Sequence, residues 1–134
     1  SGSFRIPHPL PAKGDRNLVH SFIEGPQADL IYSGTVQLVD GEAEINIDEM
    51  AGMSAGTFVA LNRGVRVFST NESNFDGVRG TVSGNVLRLV SDVSDSSARV
   101  SWMVIGERQD ATIRAANWTD SDGRPIVEPE KEAI

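Results

Sequence analysis

Along residues 28–39 apolar side chains return at every second position: Leu30, Tyr32, Val36 and Leu38 share one face of an extended chain, with Gly34 among them. That period predicts a half-buried strand. Asp40-Gly41 follows, a pair that tolerates positive φ in a tight hairpin turn. Beyond it Ala43, Ile45 and Ile47 alternate with Glu42, Glu44, Asn46 and Asp48, which predicts a second strand with an acidic outer face. Residues 49–56 have room for one helical turn and are too glycine-broken for more. Thr57-Phe58-Val59-Ala60-Leu61 is a dense apolar run of the kind found in strands buried on both faces, and it puts Phe58 in the core.

Residues 65–69, 78–82, 86–90 and 99–105 are further runs rich in β-branched residues. The segments between them, Asn71-Glu72-Ser73-Asn74, Ser83-Gly84-Asn85 and 91–97, carry turn chemistry. Trp102 alternates with Val100 and Val104 and belongs, with Tyr32, in the core. Short strands without helical periods between them predict an all-β fold, an antiparallel β-sandwich or small barrel, over residues 17–131. Residues 4–16 hold Pro7, Pro9, Pro11 and Gly14 and read as an extended N-terminal arm that does not fold on itself. After Gly106 the pattern decays into a polar C-terminal tail with a turn at Asp120-Ser121-Asp122-Gly123 and a short strand at Ile126-Val127. Ser1-Gly2-Ser3 reads as an expression scar, and 132–134 as a flexible end.

Composition narrows the function classes. With 134 residues the chain is long enough for one core, and with no cysteine it has neither disulfides nor thiolate metal sites. A net charge of -7 repels phosphate backbones and anionic headgroups, so nucleic acid is not an expected partner. No apolar run approaches the roughly 18 residues of a spanning helix, so membrane insertion is not expected either.

The candidate chemistry is thin. His8 and His20 are the only histidines, too few for a metal cluster, and His20 beside Ser21 reads as a hydrogen-bonded structural histidine. Asp120-Ser121-Asp122-Gly123 opens like a calcium loop but lacks the bidentate Glu, so it reads as a turn. Glu42, Glu44 and Asp48 read as a solvated face. No glycine-rich loop joins a strand to a helix, and no catalytic residue, metal or cofactor is expected. The sequons Asn71-Glu72-Ser73 and Asn117-Trp118-Thr119 read as accidental. Arg108 and Asp110, just past Gly106, form a charged corner with a structural role. Phe75 and Trp118 lie in polar, turn-rich segments, where an apolar ring needs a neighbouring subunit or a sugar. With Ile126 and Val127 they are the candidate contact residues, and Trp118 is read as a subunit contact.

Six segments in order, His20-Ser21-Phe22-Ile23-Glu24, Ile31-Tyr32-Ser33-Gly34-Thr35-Val36, Asp40-Gly41-Glu42-Ala43, Phe58-Val59-Ala60-Leu61-Asn62, residues 100–110 and Val127-Glu128-Pro129-Glu130-Lys131, resemble a β module found near the C-terminus of bacteriophage tail-fibre and related virion proteins. The most specific is 100–110, Val-Ser-Trp-Met-Val-Ile-Gly-Glu-Arg-Gln-Asp. The resemblance implies a β-rich homotrimer after an upstream fibre shaft, located in the virion, with no known catalysis. Host-surface glycan or protein recognition is then a second role of its loops. Read alone, the residues equally allow a stand-alone carbohydrate-binding module of a bacterial surface protein or enzyme.

Overall fold

The computed structural model of the chain describes residues 3–131. The expected scar, save for the backbone of Ser3, and the expected flexible end lie outside the described residues. Eight strands run in the order β1 (Ser3–Pro7), β2 (Asn17–Ser21), β3 (Asp29–Gln37), β4 (Glu42–Asn46), β5 (Asn62–Asn71), β6 (Val78–Ser83), β7 (Val86–Ser91) and β8 (Arg99–Arg108). Three one-turn helices accompany them: α1 (Ile47–Met50), α2 (Thr57–Leu61) and α3 (Ala111–Ala115).

All pairing is antiparallel, and it makes a β1-β2 hairpin, a β3-β8-β5 sheet and a β4-β7-β6 sheet. The two three-stranded sheets enclose one core, as expected for a sandwich. No strand pairing among the described residues joins them into a barrel. Leu30, Tyr32 and Leu38 of β3 and its end, Val100, Trp102 and Val104 of β8, and Leu87 and Leu89 of β7 are all buried, each set at period two. Gly34 stands directly opposite Trp102, and a Cβ there would lie 2.9 Å from the indole Cζ2. The blank position in the period-two row is therefore the seat of the Trp102 ring. Among the described residues no helix is long and apolar enough to cross a membrane.

Several elements depart from the sequence expectations, each for a visible reason. The arm over 4–16 does fold on itself: β1 pairs with β2 from Ser3 opposite Ser21 to Pro7 opposite Asn17, and Ile6 and Leu18 are buried. Its prolines permit this because Pro7 ends the strand and Pro9 and Pro11 fall in the loop, where Pro11 opens a single 3-10 turn over Pro11–Lys13. Asp40-Gly41 makes the expected turn, both residues at positive φ (50° and 74°). A Cβ on Gly41 would meet the Val93 carbonyl oxygen at 2.7 Å, so glycine is required there. Val39 and Glu42 close the turn by bonding each other's amides and carbonyls at 3.0 and 3.1 Å, but the pairing goes no further, because β3 goes to one sheet and β4 to the other.

Thr57–Leu61 is helix α2 and not a strand. Thr57, Phe58 and Leu61 are buried while Val59 is 50 % exposed, a helical spacing within a run too apolar to reveal it. Asp48 is not on a solvated face, being only 1 % exposed. The period-two run stops at Asn46, whose side chain caps α1 by accepting from the Glu49 amide, and helical geometry turns Asp48 inward. The helical turn expected within 49–56 thus begins earlier, at Ile47. Ile126-Val127 is not a strand; among the described residues the tail's only pairing is an isolated bridge of Thr119 with Pro125.

Candidate functional site

One end of the sandwich is built from aromatic rings. Phe4 of β1 stacks on His20 of β2, with centroids 5.4 Å apart and planes at 18°. His20 meets the edge of Tyr32 at 5.8 Å, and Tyr32 meets Phe58 at 5.2 Å, both near 74° or 73°. The ladder runs from the hairpin to the core. His20 Nδ1 lies 2.9 Å from the Val19 carbonyl oxygen, which can only accept. Nδ1 therefore carries the proton in the neutral ring, and Nε2 accepts from the Tyr32 hydroxyl at 3.1 Å. That hydroxyl accepts in turn from Asn62 Nδ2 at 3.2 Å. Burial first, and the nearby Asp48 carboxylate second, push the Tyr32 phenol up to about 12 against the opposing Asn62 hydrogen bond.

Arg108 closes the floor. Its guanidinium lies 4.0 Å from the centroid of the Phe4 ring and donates from Nε and Nη2 to Asp110 at 2.8 and 2.9 Å. Both residues are buried. Asp110 also caps α3, accepting from the Ile113 amide at 3.2 Å. Burial raises its carboxyl, but the Arg108 hydrogen bonds and charge, with the Ile113 amide, outweigh that and hold it below the usual carboxylate range. The corner expected at these two residues is thus a buried bidentate pair carrying a cation–π contact.

Above this floor lies a groove of about 390 Å³ walled by Phe4, Phe22, Ile23, Leu30, Trp118 and Pro125. It continues toward α3 as a recess of about 300 Å³ that shares Phe4, Phe22, Arg108 and Trp118 and adds Arg5 and Thr112. Phe22 and Trp118 are 54 % and 51 % exposed, so the walls present apolar surface to solvent. Trp118 is held there by the tail. Its carbonyl accepts from the Ile126 amide at 3.0 Å, and Asp120 accepts from the amides of Asp122 and Arg124. The Arg124 amide chiefly, and then that of Asp122, keep the exposed Asp120 carboxyl low. Buried Glu107 anchors the turn to the sheet through Arg63 at 2.8 Å and Arg124 at 3.3 Å, and Arg63 also donates to the Asp122 carbonyl. The Asp120–Gly123 segment is a self-bonded turn. Among the described residues no group of three His, Asp or Glu side chains is placed to hold a metal.

The other candidate contact residues scatter. Ile126 and Val127 are exposed past the tail turn, and Phe75 stands at the opposite end of the sandwich. Tyr32, Phe58 and Trp102 are core. Phe4, Phe22 and Ile23, half of the groove wall, were hidden in the sequence: Phe4 sits in the proline segment, and Phe22-Ile23 follow a strand too short to show its period. A second apolar row, the exposed Ile31 and Phe68 with the half-buried Met103 and Ile105, lies on the outer face of the β3-β8-β5 sheet. Chemically the groove offers apolar walls, an arginine already paired, and the carboxylates of Glu24 and Asp29 at its side, which suits binding. No family model and no curated protein matches the chain.

Proposed function

We propose that the chain is a structural, non-enzymatic module near the C-terminal end of a bacteriophage tail fibre, assembled in the virion as a homotrimer after a fibre shaft. The ordered segments set out above supply the family resemblance. The observation that carries a binding role over a chemical one is the lining of the groove: its cation, Arg108, is bidentate to Asp110 and stacked on Phe4, and the walls around it are chiefly apolar. Apolar surface of this kind associates with protein or with the faces of sugars. The half-exposed Trp118 ring favours, as a second reading, a stand-alone carbohydrate-binding module, and within a fibre it would give the groove a part in host-glycan recognition.

Light scattering coupled to size exclusion tests the assembly. The expected mass is three times the 14.4 kDa chain. A mass of one chain that persists at high concentration overturns the trimer, and binding of Trp118-dependent glycans by that monomer would establish the second reading.

A further inference from the structure

The loop over residues 71–77 is a rigid mount for one ring. Asn71 Oδ1 accepts from the amides of Ser73 and Asn74 at 3.0 and 3.1 Å, and its Nδ2 donates to Asn74 Oδ1 and the Asp76 carbonyl at 2.7 and 2.9 Å. Asn74 Oδ1 accepts from the Asp76 amide at 3.0 Å. The mount is tied to its surroundings on three sides. Ser73 Oγ accepts from the Arg99 amide at 2.9 Å, Asp76 from Ser96 Oγ at 2.6 Å, and the Gly77 amide donates to Asp92 at 2.9 Å. At its tip Phe75 is 107 % exposed. A loop so bonded cannot fold the ring back, and a pre-ordered aromatic anchor loses little entropy when it inserts into a partner.

The chain also carries a fitting receptacle. The groove lies at the Arg108 end of β8, where Arg108 is its floor, and the Phe75 loop lies at the Arg99 end, where it bonds the Arg99 amide. Ten residues of strand put them roughly 30 Å apart, too far for contact within one copy. Their charges are complementary. The complementarity is confined to the recess toward α3, which is lined by Arg5 and Arg108 and by no carboxylate, whereas Glu24 and Asp29 line the far side of the groove; Arg5 forms no ion pair among the described residues. The loop carries Glu72, paired with Arg99 at 3.1 Å, and Asp76, which has no cationic partner among the described residues, with Asp92 bonded beside them. Elsewhere a net charge of -7 opposes association of copies, so a contact of acidic loop with basic recess is favoured by charge as well as by shape.

We propose that Phe75 of one copy inserts into the groove between Phe4, Phe22 and Trp118 of the next, in a head-to-tail contact with Glu72 and Asp76 facing Arg5. This rests on the assembly reading above and names its interface. A heterologous contact that closes after three copies is a cyclic trimer.

Phe75→Ser tests the knob and leaves the loop's hydrogen bonds in place. We expect the parent at three chain masses and the variant at one, with the parent's circular dichroism, while Phe68→Ser on the outer sheet face keeps the parent's mass. The chain has no cysteine, so an engineered pair reports only its own contact. Mild oxidation of the Arg5→Cys, Glu72→Cys double variant, which keeps the Phe75 ring, should trap covalent oligomers up to the trimer, which neither single variant forms. A parent trimer that survives Phe75→Ser, or efficient cross-linking of Glu72→Cys alone, overturns this contact and spares the trimer. A monomeric parent overturns both.

Discussion

Asp48 and Asp110 are two buried aspartates that cap one-turn helices, and they are stabilised in opposite ways. Asp48 sits at 1 % exposure among neutral donors: the amides of Gly56 and Phe58 at 2.9 and 2.7 Å, which begin α2, and Asn85 Nδ2 at 2.9 Å from the β6–β7 turn. Asp110, at 6 %, has one amide and a guanidinium. The first holds two loops in place by geometry, and an oxygen of any charge in the right position does much of that work. The second holds a cation out of water under Phe4, and only a negative charge does that. Burial alone therefore does not say what a carboxylate is for; the charge of its partner does.

The largest effect should come from Asp110→Asn, which keeps the cap oxygen but leaves Arg108 buried without its counter-charge. A loss of about 3–5 kcal/mol in denaturant unfolding is expected, the range for breaking a buried pair. Asp48→Asn should cost less, about 1–3 kcal/mol, because one carbonyl oxygen still serves the α2 amides while the new NH2 faces a donor. Equal losses at the two sites would erase the distinction. Acid should sharpen it. Because folding lowers the Asp110 carboxyl from its ordinary value of 3.8, its contribution is complete above that value and is lost as pH falls through the lower folded one. Melting temperature below about pH 4 should then fall more steeply for the parent than for Asp110→Asn. The smallest effect belongs to the exposed pair of Arg88 with Glu42, 2.7 Å apart at half exposure: Arg88→Ala should move stability by no more than about 0.5 kcal/mol.

The same two residues show what a sequence reveals. Arg108 and Asp110 were legible as a pair because both lie past the end of a long apolar period, two residues apart. Their burial was not, since Phe4, which covers the guanidinium, lies at the other end of the chain. Asp48 was misassigned because Ala43, Ile45 and Ile47 continue a period of two across a helix start. Asn46 with Glu49 three residues on was the available signal, an N-cap with an acidic third position. Strands β3 to β8 were readable from their own residues, as was the placement of Tyr32 and Trp102 in the core. The groove was not, because it is assembled from β1, the segment after β2, the end of β8 and the tail, none of which has enough apolar residues to signal its face.

The position of β8 bears on how this chain is made. Among the described residues it is the last strand in chain order, and it is the central strand of its sheet, with β3 and β5 on either side and not paired to each other. The β1-β2 and β6-β7 hairpins can form as soon as their residues leave the ribosome, because each joins neighbours in sequence. The β3-β8-β5 sheet cannot. Until residues 99–108 emerge, β3 and β5 each present an open edge, and the gap between them leaves the core without Val100, Trp102 and Val104. The molecule is thus completed in one late step, the insertion of a single strand between two waiting ones, and a chain stopped before Arg99 would be left with a core lacking its central tryptophan and with two sticky edges.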